Sequence, residues 1–173
     1  MKNSGITLIE LLIVISIVGI LSVALGFSYK GWQGRYNVET TTKDTYSHLM
    51  KAWTRAMTRN RTHFAVLIDK RSYTVYADTK PSPDGNSTLH TSGANADTEL
   101  PGFPQTVEYD LQWDSADPNM EILTFDKRGR ISPAGTIFID PNNPDIDADY
   151  DCINILFTRI DMGKWNGASC DIK

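Results

Sequence analysis

The chain has 173 residues, 40% of them hydrophobic and 22% charged, with a formal net charge of −4. That length holds one domain with an appendage, and the balance of apolar and charged residues is that of a globular chain, not a disordered one. The acidic excess argues against affinity of the whole chain for nucleic acid or an anionic membrane.

The first element is the stretch GITLIELLIVISIVGIL, residues 5–21. From Leu11 to Tyr29 there is no charged residue, a run of about 19, close to the roughly 20 needed to span a bilayer. One carboxylate, Glu10, stands at its start. A secretory signal peptide would use Lys2 as its basic start and Ser22-Val23-Ala24 as its cleavage site, but the apolar run continues past that site. A plain membrane anchor fits the length, yet a deeply placed acid costs about 2.5–3.5 kcal/mol on insertion scales. Neither reading uses Glu10. Cleavage after Gly5 does: it leaves a charged amine on Ile6, four residues from Glu10 and on the same helical face. A neighbouring helix, shifted along its axis, would let Glu10 of one chain meet the Ile6 amine of the next.

Gly5-Ile6-Thr7-Leu8-Ile9-Glu10-Leu11 resembles the processing site of type IV prepilins and type II secretion pseudopilins. The resemblance implies a leader of residues 1–5, cut after Gly5 by a membrane-embedded prepilin peptidase that also methylates Ile6. It implies Glu10 as the assembly residue, and other pilin or pseudopilin subunits as partners through the N-terminal helix. Residues 6–29 would form a transmembrane segment of the bacterial inner membrane, single-pass, before entering a filament core. Residues 30–173 would form a head in the periplasm or outside the cell. Ile6 departs from the family's usual phenylalanine or methionine, and all eight prolines lie beyond Lys80, leaving none in the helix.

The helix is predicted to continue from Ile6 to Arg59. Trp32, Tyr36, Tyr46, Leu49, Met50, Trp53, Ala56 and Met57 recur at spacings of three, four and seven, an apolar stripe for packing on the head. Arg55, Arg59 and Arg61 read as a solvated face. The head therefore divides into a helical part, 30–60, and a β-rich part, 61–173. Strands are predicted at 63–69 and 72–78, joined by a turn at Asp69-Lys70-Arg71. An exposed loop follows over 79–102, and further strands are predicted at 106–113, 121–126, 130–132, 136–140 and 152–160, with a short last arm near Gly163–Trp165. The fold class is α+β: a long helix carrying a mostly antiparallel sheet. This order, with FDKRGRISPAGTIFI at 125–139 and a C-terminal β-arm, is similar to the GspH/FimT group of minor pilins and pseudopilins.

Three further groups are candidate sites. Asp145, Asp147, Asp149 and Asp151 alternate in a segment where major pseudopilins carry a calcium loop. Converging carboxylates suit calcium, and a solvated acidic loop is the plainer reading. Lys127, Arg128 and Arg130 fall in one predicted turn and could neutralise phosphates. The C-terminal strands, however, depart from the arginine-rich tail of DNA-binding relatives, and a charged hairpin turn explains the residues without nucleic acid. Cys152 and Cys170 are the only cysteines, an even count that fits one disulfide in an oxidising compartment; two separate buried thiols are the alternative. Enzymatic readings lack parts, since His48, His63 and His90 are scattered and no nucleophile, phosphate-loop or zinc motif occurs. The expectation is a structural subunit, not an enzyme, with no cofactor beyond possible calcium. Its rivals are a major filament subunit and a surface binding module on a pilin anchor, for DNA uptake or a calcium-dependent ligand.

Overall fold

The computed structural model describes residues 7–81, 85–115, 121–140 and 146–173; within these, the side chains of 23–28, 30, 115 and 140 are not described. One helix, α1, runs over Leu8–Thr58, 51 residues or roughly 75 Å. Its start differs from the sequence reading. Thr7 has an extended backbone and its hydroxyl accepts the Glu10 N–H at 3.3 Å, so Thr7 is the N-cap and helical geometry begins at Leu8. Ile6 lies outside the described residues. Among the described residues no helix is long and apolar enough to cross a membrane.

The helix ends at a Schellman turn. Asn60 takes a left-handed conformation at φ 48°, which Asn tolerates better than most residues. The Arg61 N–H donates to the Ala56 carbonyl and the Asn60 N–H to that of Met57. The chain thereby reverses at once into β1, His63–Asp69, which pairs antiparallel with β2, Ser72–Ala77. Asp69 holds the turn between them, accepting from Arg71 N at 2.6 Å and Ser72 Oγ at 2.7 Å.

The buried helical stripe differs from the predicted one. Val38, Thr42, Thr45, Leu49, Ala52 and Ala56 are buried, at steps of four and three. Tyr46, Met50 and Trp53 flank them, while Trp32 and Tyr36 are 61% and 59% exposed and Met57 also faces solvent. Small residues line the contact because they let the sheets approach the helix backbone. The bulkier ones fill the edges.

The strands form two antiparallel sheets, not one. The remaining strands are β3 Thr98–Glu99, β4 Gln105–Thr106, β5 Asp110–Ser115, β6 Ile122–Phe125, β7 Ile131–Ser132, β8 Gly135–Asp140, β9 Cys152–Leu156, β10 Arg159–Trp165 and β11 Cys170–Ile172. The first sheet has the order β3-β2-β1-β6-β7, with β4 also on β2; the second runs β11-β10-β9-β8-β5. One core joins both sheets to α1, including Leu123 and Phe125 from the first and Ile137, Ile153 and Ile155 from the second. Two predicted strands are split: 106–113 falls into β4 and β5, and 152–160 turns at Phe157-Thr158 into the β9–β10 hairpin. The predicted last arm at 163–165 is the end of β10, and β11 follows it.

Cys152 and Cys170 form a disulfide with a Cα separation of 5.9 Å. It links β9 to β11 across the intervening β10. Gly163 of β10 pairs with Cys152 on one side and Ile172 on the other, and a Cβ there would overlap the Asp171 carbonyl and press on Cys170 Sγ. Glycine is what lets the bridge cross.

Candidate functional site

The apolar half of α1 carries the sequence's strongest signal. Leu8, Ile9, Leu11, Leu12, Ile13, Val14, Ile15, Ile17, Val18, Ile20 and Leu21 are all exposed, Leu8 at 81%. Such a continuous apolar surface exceeds what a monomer ordinarily shows to water and marks an interaction face. Its hydroxyls are satisfied within the helix: Ser16 Oγ donates to the Leu12 carbonyl and Ser22 Oγ to that of Val18, both at 2.8 Å. Back-bonding of this kind needs no water.

Glu10 is different. It lies in the first helical turn, where the macrodipole favours an anion, and its backbone N–H is capped by Thr7. Its carboxylate has no partner among the described residues. Thr7 and Glu10 have the spacing of a capping box, a signal that the sequence reading did not use and that sets where the helix begins. Gly5 and Ile6 lie outside the described residues, so the relation between Ile6 and Glu10 does too.

In the acidic segment the three described aspartates each have a partner elsewhere in the head. Asp145 lies outside the described residues. Asp147 is paired with Lys164, and Asp149 with Lys173 at 2.6 Å; these lysines hold both carboxyls below the usual aspartate range. Asp151 is half-buried, and burial pushes its carboxyl up while it accepts the Trp165 N–H at 2.5 Å. Among the described residues no group of three or more His, Cys, Asp or Glu could hold a metal ion.

The basic turn is as predicted. The Asp126 carbonyl accepts from Gly129 N, and its carboxylate from Arg128 N at 3.0 Å. Lys127, Arg128 and Arg130 line a cavity of about 430 Å³ together with Thr62, Ser87 and Asp126. The turn is anchored to α1 by Trp53, whose Nε1–H donates to the Gly129 carbonyl at 3.0 Å.

In the described part of the long loop, two buried acids bind backbone amides. Asp78 is 1% exposed and accepts the Asn86 and Ser87 N–H groups at 3.2 and 2.6 Å. Asp97 accepts those of Thr79, Lys80 and His90. Aspartates flanked by Thr, Ser and Asn were the available signal, since such carboxylates bind nearby backbone.

Residues 1–26 match the family model described as the prokaryotic N-terminal methylation motif. The match supports a relation to type IV pilins and pseudopilins, and with it a structural subunit that is processed by a prepilin peptidase and assembles with other pilins. No curated protein and no solved structure matches the chain.

Proposed function

We propose that this chain is the precursor of a minor pilin or pseudopilin, cut after Gly5, methylated on Ile6 and assembled through Glu10. The observation that carries this reading is the acid Glu10, without a partner among the described residues, at the start of a stretch of helix, 8–21, whose apolar side chains are exposed. In hydrocarbon or in a packed helical core, that acid costs about 2.5–3.5 kcal/mol if left alone. A terminal amine from a neighbouring subunit offsets the cost and fixes the axial register. Apolar packing supplies the attraction, and the charge pair specifies where sliding stops. Before assembly, residues 6–29 lie in the inner membrane, with the head on the far side, where the disulfide can form.

The GspH/FimT type is the finer part of the proposal. It is supported by a helix that passes directly into the β1–β2 hairpin, by the β6-turn-β7-β8 order over 125–139, and by the C-terminal β-arm. The head then displays its loops on a filament or at its tip.

The intact mass of the membrane-extracted protein tests the processing. A chain beginning at Ile6 with one added methyl group is expected. A chain uncut at Met1, or cut after Ala24, overturns the reading. Glu10→Gln is expected to be processed normally and to be lost from sheared filaments. Full incorporation of that variant removes the role given to Glu10.

A further inference from the structure

The end of α1 gathers positive charge that the filament reading leaves unused. A cavity of about 410 Å³ opens between the helix terminus and the edge of the first sheet, lined by Arg55, Arg59, Arg61, His63, Ala77, Leu100 and Pro101. No acid lines it. The Schellman turn brings the three arginines together: Arg55 stands in the last helical turn, Arg59 is the C-cap, and Arg61 follows the left-handed Asn60. Elsewhere the cations Lys43, Arg71, Arg159, Lys164 and Lys173 are each paired with a carboxylate. Arg55 and Arg59 have no carboxylate partner among the described residues.

The helix dipole accounts for a basic residue in the last turn. It does not account for a like-charged pair four residues apart, which destabilises a helix, nor for a third guanidinium beyond the terminus. The fourth polar member is His63, 2% exposed. Its Nδ1–H donates to the Arg61 carbonyl at 2.9 Å. Burial pushes this ring's pKa down; the hydrogen bond to the Arg61 carbonyl opposes the shift, and the charges of Arg55, Arg61 and Arg59 add to it.

We propose that this cavity binds a small phosphate-bearing molecule, with Arg55 and Arg59 gripping the phosphate. Guanidinium forks match phosphate oxygens in a bidentate manner. Two guanidinium forks, Arg55 and Arg59, on one cavity favour a dianion over a single carboxylate. The volume lies within the range of small-molecule sites, and Ala77, Leu100 and Pro101 give the rest of the ligand an apolar wall. The site is independent of leader processing and of Glu10.

Pyrophosphate, with acetate as a monoanion control, is titrated into the detergent-solubilised full chain at constant ionic strength. Binding is followed by calorimetry and by the imidazole resonances of the three histidines. Saturable binding of pyrophosphate that moves the His63 ring is expected. Arg55→Lys and Arg59→Lys keep the charge but lose the fork, and each is expected to weaken binding about fivefold or more. Arg128→Ala, on the other basic cavity, is expected to leave affinity unchanged. No saturable binding overturns the site. So does binding that acetate matches, or that Arg128→Ala weakens as much as the Arg55 and Arg59 variants do.

Discussion

A methyl group placed on Gly85 would overlap the carboxylate of Asp78. Gly85 also has φ +75°, a conformation that side chains resist. The two facts belong together. The chain must come close enough for the Asn86 and Ser87 amides to reach a buried acid, and only a residue without Cβ permits that approach. Gly85→Ala is therefore expected to push the loop away and leave the Asp78 carboxylate short of donors, costing about 1–3 kcal/mol. Urea unfolding of the full chain in detergent, followed by circular dichroism, measures the loss. Faster hydrogen exchange at the Asn86 and Ser87 amides locates it. Unchanged exchange there would show that the loop does not depend on this contact.

The Trp53 hydrogen bond to Gly129 holds the basic turn on the helix. Trp53→Phe keeps most of the ring and removes the donor. The expected cost is about 1–2 kcal/mol from the lost bond and the stranded carbonyl. The measurement is the urea midpoint of the variant, together with exchange of the Gly129 amide, which donates to Asp126 and is expected to lose protection as the turn lifts.

The disulfide stabilises a part of the sheet that has little else at its edge, since β11 is three residues long and mostly exposed. Replacing both Cys152 and Cys170 by Ala is expected to lower stability by about 3 kcal/mol, the scale of a loop of this length in the chain-entropy model. Dithiothreitol is expected to reproduce the effect in the native chain and to change nothing in the double variant. Gly163→Ala is expected to disturb the same edge with the thiols intact, because its methyl group would meet the Asp171 backbone. The measurement is loss of exchange protection across β10–β11.

What the sequence revealed depended on whether the signal was local. Alternating residues in 63–69 and 72–77, with Asp69 in the turn, specify the first hairpin without reference to anything distant. The β9–β10 hairpin was missed because its turn, Phe157-Thr158, carries none of the usual turn residues, so CINILFTRI looks like one strand. Residues 107–109 likewise interrupt an apparently continuous strand, because Val107 N turns to the Arg71 carbonyl at the first hairpin's tip. Two sheets could not be told from one, since alternation gives a strand's inner face but not its neighbour. Trp32 and Tyr36 looked like core residues by spacing, but the head does not reach that part of the helix face. At the candidate assembly site Glu10 was legible from its surroundings alone; the cap that starts the helix at Leu8 was present as Thr7 and went unused.

Two histidines set the pH response of the head. Burial pushes both His48 and His63 below the ordinary histidine value of 6.5. Around His48, Asp44 opposes the shift and Lys51 adds to it, and its Nδ1 lies 2.6 Å from the Tyr73 hydroxyl. Between the folded and unfolded values the unfolded chain binds more protons, so stability rises with pH. The contribution is fully present above 6.5 and is lost as pH falls through the depressed folded values. Asp151 acts in the opposite sense, because burial raises its pKa from 3.8: the stability it lends is present below that value and lost as pH rises through the raised one. Urea midpoints taken from pH 8 down to pH 5 are expected to stay level at first and then fall below about pH 6.5. His48→Gln and His63→Gln are each expected to lower the plateau and to flatten that fall. A slope unchanged in both variants would place the acid sensitivity in carboxylates instead.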